Sequence, residues 1–240
     1  MLATRDTVFV SSSSPVLKVR NLILGDAEGL SAPILVISTG VISLGKWIIH
    51  KNAILTQKTP EPFKIANLFL KTGGQIEHAA NSSAKEYIVN LEVANEFIME
   101  SGSMINVKGK GYARGKGPGA TGYIGGAGYG GHGGNGYHAE GGVPYGSIVN
   151  PDELGSGGGP NPYWGPGGSG GGLAVLKISG TLQLDGVIDA DGIGGLAESG
   201  GGSSGGAINI TAGILTGSGT IHADGGNGVS SVGGGGSGGD

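Results

Sequence analysis

The chain has 240 residues, of which 56 are glycine and none cysteine, and a formal net charge of −4. The missing cysteines exclude disulfides, zinc–thiolate sites and thiol catalysis, and 14 scattered Lys and Arg against 18 Asp and Glu leave no basic footprint for nucleic acid or anionic lipid. Glycine usage far exceeds the average of about 7 per cent, and because glycine loses the most backbone freedom on folding, a folded chain must use it for a local reason.

No initial segment has the basic, apolar and small-residue parts of a secretory signal, and no apolar run approaches the roughly 20 residues of a membrane helix. In chain order, residues 16–19, 21–24, 33–37, 40–44 and 47–49 read as short strands at irregular spacing. Residues 64–70 alternate apolar and polar side chains, the period-2 signature of a strand with one buried face.

Four segments then align without gaps, centred on Ile76, Ile105, Ile188 and Ile221. Their shared pattern is small, any, Ile, polar, small or apolar, polar, Gly. Six places before the isoleucine stand Leu70, Met99, Leu182 and Leu215; thirteen places before it stand Phe63, Val175 and Ile208. This alignment predicts that those residues share columns in successive repeats. The strands are too closely spaced for crossover helices, leaving an antiparallel sandwich or barrel and a coil-on-coil stack. Recurrence of one whole unit favours the stack, a right-handed parallel β-helix or β-solenoid.

A glycine-rich tract follows three of these units, over residues 109–172, 192–206 and 225–240. If the coils stack in register, the tracts leave from one corner and pack on one another. The predicted organisation is one continuous solenoid domain: coils over 1–108, a Gly/Tyr-rich insertion over 109–172, and coils with glycine-rich loops over 173–240. The insertion holds six of the seven tyrosines, Tyr112, Tyr123, Tyr129, Tyr137, Tyr145 and Tyr163, with Trp164 beside the last. A plain linker needs no tyrosines, so the tract is expected to be partly ordered, with rings on glycine backbone or free to stack on sugars. The glycine tract that runs to Asp240 without a capping element predicts that this sequence is a segment of something longer.

The strand pattern of residues 182–192, followed by the glycine run of 200–206 and its echo at 221–226, resembles the glycine-rich parallel β-helix proteins of microbial surfaces, the pectin-lyase-like and adhesin-like group. The resemblance covers residues 60–240 well and 1–60 loosely. It implies an extracellular or cell-surface protein of structural or adhesive role, and it marks architecture rather than activity.

No enzymatic chemistry is expected. Gly131-His132-Gly133 looks like the Gly-His-Gly element of polygalacturonases, yet the paired carboxylates and the Arg-Ile-Lys element such enzymes need are missing from the sequence. Asp189, Asp191 and Asp224 are candidate calcium ligands, since the first two alternate onto one strand face and Asp224 aligns with Asp191; the same residues also suit solvated turns. His222 aligns with Asp189, Asn106 and Glu77 at an outward position, and His50, His78, His132 and His138 have no metal-ligand spacing. Sequons for glycosylation stand at Asn81, in an expected loop, and at Asn209, in an expected strand.

No cofactor is expected. The expected partners are further copies of the chain, stacked head to tail into a fibre, and surface polysaccharide; nucleic acid and membrane insertion are not. The alternative function is a carbohydrate-binding or polysaccharide-degrading β-helix.

Overall fold

The computed structural model describes residues 6–11, 16–161, 165–196, 199–229 and 233–240. Among them the chain is all-β. The strands are β1 (Thr7–Val10), β2 (Val16–Lys18), β3 (Leu22–Leu24), β4 (Ile34–Ile37), β5 (Gly40–Ile49), β6 (Ile54–Gln57), β7 (Phe63–Leu70), β8 (Gln75–His78), β9 (Val89–Met99), β10 (Met104–Asn106), β11 (Leu173–Leu184), β12 (Val187–Asp189), β13 (Ala207–Thr216) and β14 (Thr220–His222). They form two sheets of parallel strands, one ordered β1-β4-β6-β8-β10-β12-β14 and the other β13-β11-β9-β7-β5-β2, with β3 also beside β5. From β4 onward, consecutive strands alternate between the sheets.

The central isoleucines pair as the alignment predicts: Ile76 with Ile105, Ile105 with Ile188, and Ile188 with Ile221. The column extends upward through Leu55 and Leu35 to Val8. The side chains from Leu55 to Ile188 in this column are fully buried. At about 1.5–3 kcal/mol for each buried aliphatic side chain, such columns carry the fold.

Two other predicted alignments differ. Leu70 pairs with Met99 and Met99 with Leu184, whereas Leu182 pairs with Phe97 and Leu215. Only Asp185 and Gly186 join β11 to β12, while four residues join β7 to β8 and β9 to β10, so counting back a fixed six places from the isoleucine lands two residues away. Phe63 shares a column with Leu91, Leu176 and Ile210, while Val175, paired with Asn209, turns to the other face. The expected short strands at 40–44 and 47–49 are one strand, β5, with an irregularity between Ser43 and Lys46; β7 and β11 are interrupted at the same level.

The glycine tracts begin at Val107, Ala190 and Ala223, each just after a strand of the first sheet, and they hydrogen-bond to one another. Residues 200–206 run through the middle. Their N–H groups turn through three neighbours with a period of three: Gly201 and Ser204 donate to Gly159 and Ser156 (2.9 and 3.0 Å), Gly202 and Gly205 to Gly234 and Ser237 (2.8 and 3.0 Å), and Ser203 and Gly206 to Ile193 and Ala190 (3.1 and 2.8 Å). Their carbonyls accept from Gly168, Gly171, Ala127, Gly226 and Val229. Three residues per turn without internal hydrogen bonds is the geometry of a polyproline II helix, and here its outward-turned backbone groups are satisfied by neighbouring segments instead of water. Glycine permits that approach. The two non-glycine residues of the central segment are serines: the single Ser203 O–H lies between the carbonyls of Ser169 (2.6 Å) and Ile193 (2.8 Å) and donates to one of them at a time, and Ser204 Oγ accepts from the Ser156 N–H (2.8 Å).

Candidate functional site

The polar position after the central isoleucine brings Asn106, Asp189 and His222 side by side on β10, β12 and β14. Asp191 follows Asp189 by two residues and lies beside it. Lys108 Nζ stands 2.9 Å from Asp191 Oδ2 and 3.9 Å from Asp189 Oδ2, and His222 Nδ1 stands 3.0 Å from Asp191 Oδ1 and 3.6 Å from Asp189 Oδ1. Of the acids singled out for calcium, Asp189 and Asp191 come together. The third donor within 4.8 Å is the imidazole of His222, and Asp224 contributes its backbone N–H to Asp191 Oδ1 at 2.8 Å. Burial acts to raise the Asp191 carboxyl, but His222, Lys108 and that N–H outweigh it and hold the group below its ordinary value. In return, the Asp191 carboxylate holds His222 above its own. The cluster is an ion-paired clamp that fastens the three-residue strand β14 to β12.

A second polar pair points inward at the C-terminal ends of β6 and β8, in the middle of the first sheet, where Gln57 pairs with His78. Both are fully buried. Gln57 donates to the Glu61 carbonyl (2.7 Å) and accepts from the Asn90 N–H (2.9 Å). His78 Nδ1 lies 2.8 Å from the Ala79 carbonyl and its Nε2 accepts from the Leu173 N–H at 3.3 Å, so the neutral ring donates at one nitrogen and accepts at the other. These side chains tie the ends of β6 and β8 to β9 and β11 of the other sheet.

The two histidines carry opposite pH signatures. Burial depresses His78 from 6.5 to about 4. Its full contribution to stability is therefore present above pH 6.5 and is lost as pH falls toward 4, by up to about 3 kcal/mol. His222, being raised, stabilises the folded state below pH 6.5, and that contribution disappears as pH rises through its folded value. Chemical denaturation between pH 4 and 7 should show the His78 loss, and His78→Gln, which copies Gln57 one strand away, should flatten the profile. An unchanged profile in the variant would refute the assignment.

The tyrosines divide into two sets. Tyr112 and Tyr129 join Leu154, Leu173 and Ala207 in a second apolar cluster between the second sheet and the mutually hydrogen-bonded glycine tracts, the glycine bundle, with Tyr145 and Val175 packed against it. The Tyr129 and Tyr145 rings meet edge to face at 4.7 Å, the Tyr145 hydroxyl donates to the Leu154 carbonyl, and burial raises all three phenols. Tyr112 and Tyr129 are buried packing groups, whereas Tyr145 is half-buried and lines, beside Tyr129 and Pro144, a shallow surface pocket. Tyr123 and Tyr137 are exposed on the bundle. Tyr163 and Trp164 lie outside the described residues.

Asn81 is buried, and its amide is committed: Nδ2 donates to the Tyr87 and Lys110 carbonyls, and Oδ1 accepts from the Glu86 and Tyr87 N–H groups. A glycan there would require this loop to open. Asn209 Nδ2 faces Asn150 Oδ1 (3.2 Å) and the Pro151 carbonyl (3.3 Å). His132, in the Gly-His-Gly element, is an exposed residue of the bundle.

The interrupted strands of the second sheet create a groove of about 500 Å³ on its outer face, lined by Ile42, Leu44, Lys64, Glu92, Lys177 and Ser179 among others. Lys64 and Glu92 pair at 3.2 Å in an exposed setting, worth well under about 1 kcal/mol. At the two ends of the stack the core columns run out into solvent. In the isoleucine column exposure is 53% at Val8, 8% at Leu35, 0% from Leu55 to Ile188, and 46% at Ile221. In the column of Trp47, Leu68, Phe97 and Leu182, all at 0%, the last residue, Leu215, is 56% exposed.

No family model, curated protein or solved structure matches this chain. Lys108, Gln57, His78 and the buried serine pair are structural residues that motif reasoning passed over. Only Lys108 left a signal: it occupies the second polar position of its unit, in line with Asp191 and Asp224.

Proposed function

We propose that the chain is a right-handed β-solenoid braced along one corner by its glycine-rich bundle, and that it serves outside the cell as a structural or adhesive element, a building block of a surface fibre formed by stacking coils. The observation that carries this reading is the run of core columns that continue in register to both ends of the stack and finish there with exposed Val8, Leu215 and Ile221. Bare strand edges with an apolar face are templates for another strand. The bundle adds rigidity, because its central backbone is bonded to protein on every side.

Electron microscopy of the purified full chain is expected to show fibres or elongated rods. Compact, monodisperse monomers across a wide concentration range would overturn the reading. The groove on the second sheet favours one further role, binding an extended surface polysaccharide along the stack. A glycan array without hits would remove that role and leave the structural one intact.

A further inference from the structure

We infer that the partner at the end of the stack is a second copy of this chain, seated head to tail so that β1, β2 and β3 of one copy continue the columns that end at β13 and β14 of the next. The inference deepens the fibre reading and rests on it. It specifies a register: Val8 beside Ile221, Leu17 beside Ile210, and Leu22 beside Leu215.

Three observations select a second copy. The first is chemical identity along each column. Val8 leads through Leu35, Leu55, Ile76, Ile105 and Ile188 to Ile221; Leu17 leads through Val41, Phe63, Leu91 and Leu176 to Ile210; Leu22 leads through Trp47, Leu68, Phe97 and Leu182 to Leu215. Each column begins and ends on an aliphatic residue, so a copy placed at either end meets the same class of side chain already found inside.

The second observation is spacing. Leu17 and Leu22 are five residues apart, as are Ile210 and Leu215, so both contacts form together without a bulge. β2 and β3 already lie beside the two halves of β5 at the opposite edge of this sheet, and β13 offers two corresponding halves, one reaching Ala212 and, after the register shift opposite Ile178 and Thr181, one from Ile214 onward.

The third observation is direction. Every strand pairing is parallel, so the same translation that carries one strand to the next carries one copy to the next. The two contact surfaces differ, one made of β1–β3 and the other of β13–β14, which makes the interface heterologous. Such an interface repeats without closing unless its rotation forms a ring. Val8, Leu215 and Ile221, each about half exposed in the single chain, would then be buried like their column neighbours.

The absence of cysteine provides a clean background for a register test. Neighbouring parallel strands lie about 4.8 Å apart, within the Cα separation that a disulfide spans. Purified chain carrying Val8→Cys with Ile221→Cys, incubated under mild oxidation, is expected to give a ladder of covalent oligomers on a non-reducing gel. Phe9→Cys with Ile221→Cys should give none, because adjacent strand residues point to opposite faces. In parallel, Leu215→Asp should leave the single chain folded, with a loss of thermal midpoint no greater than a few degrees because the site is half exposed, while weakening association by at least about tenfold, because stacking would bury an unpaired carboxylate. Fibres with no ladder from the Val8 and Ile221 pair, or equal ladders from both pairs, would overturn the register and leave the fibre reading standing. Monomers with no ladder would end both.

Discussion

Gly202→Ala is expected to disrupt the glycine bundle and cost about 3 kcal/mol, at the upper end of what overpacking does in a rigid core. A Cβ at Gly202 would lie 1.9 Å from the Gly226 carbonyl oxygen and 2.7 Å from its carbon. The obstacle is backbone, so no side chain can swing aside. Relief would require moving the 223–229 segment, which is tied by the Gly226 N–H to Ser203 and by the Gly236 N–H to Gly226. For a chain of this size, the loss corresponds to a fall of roughly 6–12 °C in thermal midpoint. Gly122→Ala is the control, because nothing lies within 4 Å of the added atom. It should be neutral or slightly stabilising. If the two variants melt together, the bundle is not the close-packed element argued above.

Phe97→Ala should be the most damaging substitution in the sheets, at about 3–5 kcal/mol. Phe97 is fully buried in the middle of its column, with Leu68 on one side and Leu182 on the other, and strands on both sides prevent the cavity from collapsing. Leu215→Ala truncates the same column at its exposed end and should cost well under half as much in the single chain. Denaturant titration of dilute protein would measure both. Equal losses would mean that the column ends are as well packed as its centre, contrary to the exposure of Leu215.

Much of the fold is legible before any coordinates. The alignment of Ile76, Ile105, Ile188 and Ile221 is the observed register, because a column of identical aliphatic side chains fixes pairing once one face is buried. The flanking columns are less legible, since their place depends on the length of the connections. The two-residue link of Asp185 and Gly186 carries Leu184, not Leu182, into line with Met99. A fixed offset counted along the chain misses such a change.

The candidate sites were less accessible still. Asp189 and Asp191 were identifiable as a pair, but their partners are Lys108, 83 residues before Asp191 and across the long tract, and His222 from the following repeat. His78 gives no sign in the sequence of being buried. Its neutrality follows from an apolar setting and from the distant Leu173 N–H.

The sequence by itself therefore determined the strand class, the repeat and the place where glycine interrupts it, because these follow from side-chain alternation and local conformational preference. Tertiary structure decided what the glycine is for. A tract of glycine has no side chains with which to state its partners, and hydrogen-bonding by rotation through three neighbours is a property of several segments brought together. Only when 154–159, 190–193, 223–229 and 233–240 surround 200–206 does the absence of Cβ atoms become a packing requirement rather than a mark of low complexity.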